Sequence, residues 1–583
     1  MTTRAEWAEI ARKKAQEWLI PDVDPESRNE IERMLANDPG ALTEAFYSDL
    51  EFGTGGLRGV MGVGTMRMNR YTVGMATQGL ANYILKQAGL QESAVVIAHD
   101  SRLQSPEFAR TAAEVLAANG IRVFLFAEMR PTPLLSFAVR NLKCRAGIVI
   151  TASHNPKEYN GYKVYWEDGA QVLPPHDEGI IREVRAVKGI RDVKFGGGNK
   201  LIETPGPEVE EEYLKKLDGL IHDRSAILAN RELPIVYTSI HGTGITLVPR
   251  ALKTAGFTQI HVVPEQSVPD GRFPTVTSPN PEEREALAMG LQLCEQVRAE
   301  LLLGNDPDAD RVGIAVRNGQ QEMVLLNGNQ AGSLLVWYEL YQWQKLGRLN
   351  GRQYIASTVV TSELFPAIAG YFGVPCYKTL TGFKYIAGVM REREGLETFI
   401  AGGEESYGYL AGDFVRDKDA VISSVKFAEI AAWCTSQGRS MWDLLMEIYT
   451  ICGLYHDELV SITMKGIDGL ENIRSLMEKL RSSPPDALAG SRIVRIADLK
   501  RGTVRDARTG EEKPLGLPLS NVLQFELEDG SRISARPSGT EPKIKFYFSF
   551  RDEFLGLQHY ATQISVMHDR VTRARKELGV EAG

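Results

Sequence analysis

AGIVITASHNPKEYNGYK, residues 146–163, places an apolar run directly before a polar segment. The run from Ala146 to Ile150 is short and rich in β-branched residues, which predicts a buried strand. Ser153-His-Asn-Pro156 then follows at the carboxyl end of that strand, the edge at which open α/β sheets bind ligands. The stretch therefore predicts an α/β fold with a functional loop after Ile150. The serine hydroxyl could carry a transferred group, although a serine before Asn-Pro is also common in turns and helix caps.

The bulk composition limits the class of protein. The 583 residues are 43% hydrophobic and 24% charged, which is typical of several globular domains in one chain. The net charge is −8, without a basic tract, which argues against a nucleic-acid or membrane-surface binder. The five cysteines are scattered, and no apolar run approaches the roughly 18 residues of a membrane span. We expect a cytoplasmic protein with reduced thiols, and the sequence leaves its oligomeric state open.

Similar elements recur in the same order along the chain. The first copy spans residues 94–150, the second 234–304, and a looser third 354–402. Each copy ends in a strand that opens into a polar loop, which predicts three similar α/β units with one functional loop each. Chance matching of strand–helix units is the alternative.

Local patterns within these copies make narrower predictions. Ser105 precedes a proline and is predicted to cap a helix, and Glu282 and Glu283 are predicted to open another. Lys163 and Lys384 are predicted to lie in glycine-containing polar loops, as phosphate contacts, proton shuttles or merely solvated lysines.

Turn-rich segments predict the joints between domains. Beyond Gly453 the composition changes to shorter strands and turns, followed by a terminal helix, which predicts a smaller α+β domain. The predicted division of the chain is 1–203, 204–325, 326–452 and 453–583.

Three aspartates alternate in the loop at the end of the second copy. Asp306, Asp308 and Asp310 would repel one another, since unit charges ~4 Å apart cost about 4 kcal/mol per pair at an effective dielectric constant of 20. A cation or protonation must relieve this repulsion, and oxygen-only ligands favour Mg²⁺. A calcium EF-hand is excluded because Arg311 and Arg317 occupy its glycine and glutamate positions. A solvated acidic turn is the alternative.

Three further loops have donors or acceptors for a phosphorylated sugar. Residues 53–59 combine glycines with Arg58 and could approach an anion, or form a plain turn. Residues 536–540, Arg-Pro-Ser-Gly-Thr, offer a dense donor set for a phosphate, or an ordinary tight turn. Glu404-Glu-Ser406 suits sugar hydroxyls, or the cap of a helix.

Four motifs together resemble those of a known family. TASHNP at Thr151, DPDADR at Asp306, GEES at Gly403 and RPSGTEP at Arg536 occur in the order typical of the α-D-phosphohexomutase superfamily, which contains the phosphoglucomutases and phosphomannomutases. The resemblance covers nearly the whole chain. It implies an α/β fold of three similar α/β domains with mixed sheets, plus a smaller C-terminal α+β domain, around a central cleft.

The resemblance also implies roles for individual residues. Ser153 would be the phosphorylated serine, and its phosphoryl oxygen would join Asp306, Asp308 and Asp310 around Mg²⁺. The other catalytic positions that match are Arg58, His154, Lys384 and Lys163, the last as candidate proton shuttle. The substrate-binding positions that match are Arg311, Glu404, Ser406, Arg536, Ser538, Gly539 and Thr540.

The resemblance implies two phosphoryl transfers. Phosphorylated Ser153 first gives its phosphoryl group to a hexose monophosphate and forms a 1,6-bisphosphate. The bisphosphate then turns around in the site and returns its other phosphate to Ser153. Glucose is favoured because the sugar loop reads Glu-Glu-Ser rather than the Glu-Met-Ser of many phosphomannomutase-like members. We therefore expect an enzyme that interconverts glucose 1-phosphate and glucose 6-phosphate, with glucose 1,6-bisphosphate as intermediate and activator and small sugar phosphates as its partners. Residues 413–419 also resemble a long-form branch that includes phosphopentomutases. The alternatives are phosphomannomutase or phosphopentomutase activity, a sugar phosphatase, and a non-catalytic binding module.

Overall fold

A computed structural model describes residues 4–53, 55–88, 93–463, 467–538 and 543–580. Four β-sheets follow one another along these residues, and helices pack against them. The domain boundaries at 203, 325 and 452 stay predictions.

Three helices precede the first sheet. Asp24 and Asp38 cap the second and third of them by accepting from backbone N–H groups three residues on, and a proline follows each cap. The side chains of Trp18, Phe46 and Tyr71 pack edge to face in the small core beneath. The helices are α1 (Arg4–Glu17), α2 (Pro25–Asn37) and α3 (Pro39–Phe46).

The first sheet has six strands in the order β1-β5-β4-β2-β3-β6. They are β1 (Gly56–Val60), β2 (Ala94–His99), β3 (Arg122–Leu125), β4 (Ala146–Ile150), β5 (Tyr159–Trp166) and β6 (Ile202–Glu203). The helices around it are α4 (Arg70–Ala88), α5 (Ser105–Ala118), α6 (Thr132–Asn141) and α7 (His176–Ala186). Strand β4 is buried along its whole length, as its apolar sequence predicts.

The second sheet has five strands in the order β11-β10-β9-β7-β8. They are β7 (Ile235–Thr238), β8 (Ile260–Val262), β9 (Leu301–Asn305), β10 (Val312–Arg317) and β11 (Met323–Leu325). Its helices are α8 (Glu208–Asp218), α9 (Arg224–Ala229), α10 (Val248–Ala255), α11 (Pro264–Ser267) and α12 (Ala288–Val297).

The third sheet has four strands in the order β13-β12-β14-β15. They are β12 (Gln353–Thr358), β13 (Cys376–Thr379), β14 (Thr398–Glu404) and β15 (Gly408–Ala411). Its helices are α13 (Gly328–Lys345), α14 (Leu364–Tyr371), α15 (Phe383–Arg393), α16 (Ala420–Ser436) and α17 (Met441–Cys452).

The fourth sheet is antiparallel and runs in the order β16-β23-β22-β21-β18-β19-β20, with β17 paired to β18. The strands are β16 (Leu454–Thr463), β17 (Ala487–Leu488), β18 (Ser491–Asp498), β19 (Thr503–Asp506), β20 (Glu512–Pro514), β21 (Leu523–Leu527), β22 (Arg532–Pro537) and β23 (Lys543–Asp552). Its helices are α18 (Ile467–Ser482) and the terminal α19 (Tyr560–Glu577). Strands β16 and β23 have ten residues each, so the prediction of shorter strands in this region is wrong for that pair.

The first three sheets share one local topology at the predicted functional loops. Strands β4, β9 and β14 each run parallel to an inner neighbour, β2, β7 and β12. Each then turns into an antiparallel outer strand, β5, β10 or β15. The loops after Ile150, Asn305 and Glu404 are therefore equivalent, as the repeat in the sequence predicts.

Two predicted helix starts are wrong. Gln104, not Ser105, is the residue before α5, and the Ser105 hydroxyl donates to Asp100 Oδ1 at 2.7 Å. Residues 282–287 form turns, and α12 begins only at Ala288. The carboxylate of Glu282 accepts from Arg311 Nη1 at 2.7 Å, and this tertiary ion pair overrides the local helix signal.

Two lysines predicted in loops lie in regular structure. Lys163 belongs to β5, and Lys384 lies in the first turn of α15. Arg58 lies in β1, so part of the glycine-rich segment predicted as a loop is a strand. Gly56 has a φ of 137°, and a Cβ atom there would lie 1.7 Å from the Tyr162 carbonyl oxygen. Only glycine allows β1 to pair this closely with β5.

The cysteines are free thiols in a globular fold. Four cysteines are buried, Cys376 is half-buried, and none forms a disulfide. Burial raises the pKa of the Cys144 thiol to about 12, as expected for an inert structural cysteine. Within the described residues, every helix is too short or too polar to cross a membrane.

Candidate active site

A cleft of about 1150 Å³ is lined by residues from all four sheets and their loops. Asp306 and Asp308 are fully buried beside the lining residue Asp310. Gly539 and Thr540 lie outside the described residues. The other predicted site residues that line the cleft are Arg58, Ser153, His154, Lys163, Arg311, Lys384, Glu404, Ser406, Arg536 and Ser538.

Ser153 occupies the start of the loop after β4 in a left-handed conformation. Its φ is 53°, and its N–H donates to Thr151 Oγ1 at 2.8 Å. A non-glycine residue in this region carries strain of about 1–3 kcal/mol, which is concentrated at functional sites. The hydroxyl donates to Asp306 Oδ2 at 2.7 Å and lies 3.2 Å from His154 Nδ1. The serine therefore faces the aspartate loop and does not cap a helix.

Arg102 holds this loop in place, and sequence reasoning missed it. The side chain is 1% exposed and lies 3.3 Å from the buried Asp100 carboxylate. Arg102 follows the carboxyl end of β2, the strand beside β4. That position at the functional edge of the sheet is the one feature of the sequence that could have indicated its role. The guanidinium donates to the backbone carbonyls of Ser153, Asn155, Pro156 and Tyr159.

Replacing Arg102 with methionine is expected to destabilise the protein by about 3 kcal/mol or more, because it leaves Asp100 buried without its cation. Chemical denaturation measures the loss, and deuterium uptake of residues 151–160 should rise. Arg122→Met is the matched control, since Arg122 forms an exposed ion pair with Glu203. Equal losses in the two variants would contradict the role of Arg102.

The three aspartates form a buried cluster that fits a metal ion. One carboxylate oxygen from each lies within 4.8 Å of the others. Asp308 Oδ1 and Asp310 Oδ1 are buried and have no hydrogen-bond partner among the described residues. Such orphaned oxygens are costly unless a cation binds them, and hard divalent ions prefer this donor set. Burial, Asp308 and Asp310 raise the pKa of Asp306 well above its usual range.

Two lysines partly neutralise the cluster. Lys163 Nζ lies 2.7 Å from Asp308 Oδ2 and 3.2 Å from Asp310 Oδ2. Lys418 Nζ lies 3.2 Å from Asp310 Oδ2, and sequence reasoning had not singled it out. Burial would raise the pKa of Asp310, but Lys163 and Lys418 hold it well below its usual range. Burial would lower the pKa of Lys163, but the aspartates raise it, so the side chain is an ammonium.

The aspartate loop is fastened to the first α/β unit. The Thr132 hydroxyl, at the start of α6, donates to Asp308 Oδ2 at 2.9 Å, and its N–H donates to the Asp308 carbonyl at 2.9 Å. Tyr165 in β5 donates to Asp417 at 2.6 Å, next to Lys418. These buried contacts join three sheets around Ser153.

His154 and Arg311 lie at the border of the serine and aspartate loops. Burial, Arg311 and Arg58 lower the pKa of His154 well below its usual value, so the imidazole is neutral. The backbone N–H of Arg311 donates to Asp306 Oδ1 at 3.0 Å. Arg58 Nη1 donates to Asn155 Oδ1 at 3.0 Å and so contacts the serine loop from β1.

The two glutamates of the loop predicted to bind sugar, Glu404 and Glu405, have different environments. Glu405 accepts from the hydroxyls of Thr358 and Thr361 at 3.2 and 3.1 Å. Glu404 accepts from the Gly382 N–H at 2.8 Å. Burial raises the pKa of Glu404 to about 7 although the nearby Lys418 lowers it. Glu404 therefore titrates near neutral pH, and a second carboxyl that lines the cleft, Asp457, has a pKa raised by burial to about 6.

Basic side chains from the fourth sheet line the opposite part of the cleft. Arg536 in β22 pairs in register with Lys545 in β23, and both line the cleft with Lys543 and Ser538. Burial lowers the pKa of Lys545. Sequence reasoning missed Lys545, whose place beside Arg536 depends on strand register. Positive charge on adjacent strands suits a phosphate group.

Comparisons with known proteins agree with this architecture. The family descriptions "Phosphoglucomutase/phosphomannomutase, alpha/beta/alpha domain" I, II and III match residues 49–190, 211–319 and 327–451. A phosphoglucomutase of Staphylococcus epidermidis is 38% identical over 510 residues, covering 87% of this chain and 91% of the relative. A phosphoglucomutase of Staphylococcus aureus is 39% identical over 511 residues, with the same shares covered.

Solved structures show the same fold at lower identity. A phosphoglucomutase/phosphomannomutase family protein of Burkholderia thailandensis has a TM-score of 0.66 at 21% identity and covers 92% of this chain and 99% of its own. The open form of parafusin, a phosphoglucomutase of Paramecium, has a TM-score of 0.67 at 17% identity and covers 91% of this chain and 96% of its own.

Fold, cleft and relatives together define an isomerase of the intramolecular phosphotransferase class. The chain belongs to the phosphoglucomutase/phosphomannomutase family, within the α-D-phosphohexomutase superfamily. The predicted family, α/β fold class and phosphoglucomutase-type activity are confirmed. The roles of individual residues stay predictions.

Proposed function

We propose that the protein interconverts glucose 1-phosphate and glucose 6-phosphate through a phosphorylated Ser153. One observation carries the proposal: the Ser153 hydroxyl, in a strained loop, lies 2.7 Å from Asp306 at the edge of a buried carboxylate cluster. The relatives named phosphoglucomutase support glucose as the sugar.

The aspartate cluster would hold Mg²⁺ together with a phosphoryl oxygen on Ser153. The fit rests on the two orphaned oxygens of Asp308 and Asp310 and on the three carboxylates that make up the cluster, an oxygen donor set that hard divalent ions prefer. When bound, the ion supplies positive charge that offsets the charge of the transferring phosphoryl group.

The chain's own residues then position the reacting groups. In the first transfer a sugar hydroxyl oxygen forms a bond to phosphorus while the bond from phosphorus to Ser153 Oγ breaks. The hydroxyl loses a proton and Ser153 Oγ gains one, so the transfer consumes no proton overall. Lys163, an ammonium in contact with Asp308 and Asp310, would give its proton to Ser153 Oγ as the bond to phosphorus breaks, and the amine would take up the proton that the sugar hydroxyl loses. The bisphosphate turns around, and the reverse transfer restores phosphoserine.

The remaining loops hold the substrate. Glu404 and Ser406 contact sugar hydroxyls, and Arg311 and Lys384 line the path between the two phosphate positions. The phosphate that is not transferring binds to the guanidinium, hydroxyl and amide donors of Arg536, Ser538, Gly539 and Thr540.

A substrate assay tests the proposal. The purified protein is given glucose 1-phosphate, mannose 1-phosphate or ribose 1-phosphate with Mg²⁺ and a trace of the matching bisphosphate. We expect the highest kcat/KM with glucose 1-phosphate and formation of glucose 6-phosphate. Higher kcat/KM with the mannose or ribose ester would instead establish a phosphomannomutase or phosphopentomutase. Release of inorganic phosphate without isomer would establish a phosphatase.

Arg536→Met is expected to raise KM for glucose 1-phosphate about 10- to 100-fold, because a charged hydrogen bond to phosphate contributes about 1.5–3 kcal/mol. Steady-state kinetics measure the change. Arg495→Met, on the neighbouring part of the same sheet, is the control because Arg495 is largely exposed and pairs with Glu526. A KM that is unchanged in Arg536→Met would remove this residue from the phosphate site.

The pH profile should reflect the titration of Glu404. Its pKa of about 7 means that the carboxyl is neutral below that pH and ionised above it. Only the ionised form accepts hydrogen bonds from sugar hydroxyls with both oxygens, so kcat/KM should rise between about pH 6 and about pH 8. In Glu404→Gln this rise should disappear, while the titration of the substrate phosphate remains. A variant that keeps the same rise near pH 7 would contradict the assignment.

A further inference from the structure

A second cluster of metal-ligating side chains lies in the fourth sheet. His456 and Glu458 are two residues apart on β16, so their side chains point to the same face of the strand. His568 comes from α19, more than 100 residues further along, and meets Glu458 on that face. The three residues bring two imidazoles and one carboxylate together from separate elements.

The distances suit coordination of one ion. The three ligand atoms lie within 4.8 Å of one another. Glu458 Oε2 is 2.9 Å from His568 Nδ1 and 3.6 Å from His456 Nε2. Ligand atoms at ~2.1 Å from a tetrahedral ion are about 3.4 Å apart, which lies between those two distances. Both distances from Glu458 are therefore close to those in a tetrahedral site.

Hydrogen bonding among the three residues leaves one atom unsatisfied. His456 Nε2 is buried and has no hydrogen-bond partner among the described residues. The 3.6 Å separation from Glu458 Oε2 is too long for a good hydrogen bond.

The donor set selects the ion. Two imidazoles and one carboxylate are typical of Zn²⁺ sites that keep a fourth position for water, whereas Mg²⁺ prefers oxygen donors. The His568 side chain is 59% exposed, which gives an ion a path from solvent and room for that water. The aspartate cluster differs from the His456, Glu458 and His568 cluster because it has only oxygen donors and is buried.

We propose that His456, Glu458 and His568 form a binding site for a divalent transition metal, with Zn²⁺ as the fitting ion. The site goes beyond the mutase reaction, because its ligands differ in kind from those of the aspartate cluster, although one of them, Glu458, also lines the cleft. Bound metal would tie α19 to β16. Strand β16 pairs with β23, which pairs in turn with the Arg536 strand β22. The metal would thus stabilise the sheet that carries the phosphate-binding residues.

Cobalt titration of the whole protein tests the site. The protein is stripped with chelator and kept in excess Mg²⁺, so that the aspartate cluster binds its own ion. Co²⁺ is added as the spectroscopic probe. We expect one equivalent to bind with the intense visible absorption of a tetrahedral nitrogen and oxygen site, and Zn²⁺ to displace it. Zn²⁺ should also raise the thermal unfolding midpoint of the wild type.

Single variants identify the ligands. His568→Ala and His456→Ala are each expected to weaken Co²⁺ and Zn²⁺ binding about tenfold or more and to remove the thermal shift. His568 is exposed, so its alanine variant should fold normally, as circular dichroism can verify. His559→Ala, at an exposed histidine just before α19, is the control and should bind as the wild type does. Absence of Co²⁺ binding in excess Mg²⁺, or wild-type binding by His568→Ala, would overturn the proposal.

Discussion

Ser153→Ala is expected to lower kcat for conversion of glucose 1-phosphate to glucose 6-phosphate by about 10⁴-fold or more. The variant has no hydroxyl to carry the phosphoryl group, and no described serine other than Ser153 contacts the aspartate cluster. A coupled dehydrogenase assay measures the rate. Intact-protein mass spectrometry should show a phosphoryl adduct on the wild type and none on the variant.

The control for this experiment is Ser482→Ala, which removes an exposed hydroxyl at the end of α18. Its rate and its phosphoryl adduct should match those of the wild type. If Ser153→Ala kept the adduct, the phosphate carrier would be a different residue, even if the rate fell.

Asp308→Asn should reduce kcat by about 10²- to 10³-fold and raise the Mg²⁺ concentration needed for half-maximal rate. The substitution removes one negative charge and one metal-binding oxygen, but the remaining amide oxygen can still accept from the Thr132 hydroxyl. The fold should therefore survive. Initial rates over a series of Mg²⁺ concentrations separate the two effects.

Asp49→Asn is the matched control for this charge change, because the Asp49 side chain is 76% exposed. Its Mg²⁺ dependence should equal that of the wild type. Wild-type rates for Asp308→Asn at every Mg²⁺ concentration would contradict the metal site.

The sequence predicts the strands and loops that depend on local pattern. Strand β4 follows from a continuous apolar run, and the aspartate cluster follows from carboxylates spaced two apart. Both signals lie within about a dozen residues of chain, where periodicity and charge repulsion act directly.

Local sequence pattern does not predict residues whose contacts are distant along the chain. Arg102 binds carbonyl groups about 50 residues away, and Lys545 stands beside Arg536 only because β22 and β23 pair in that register. Lys418 contacts an aspartate of the second sheet from a loop of the third. Conversely, Glu282 carries a helix signal that its ion pair with Arg311 overrides.

In the proposed mechanism, the two hydrogen bonds from Thr132 to Asp308 lower the cost of arranging the charges for phosphoryl transfer. They fix the aspartate loop against the unit that carries Ser153 before any sugar arrives. Carboxylates oriented in advance do not have to reorganise as charge develops on the phosphoryl group, whereas solvent dipoles would. Much of the cost of arranging the reaction's electrostatics is therefore met when the chain folds rather than in each catalytic cycle.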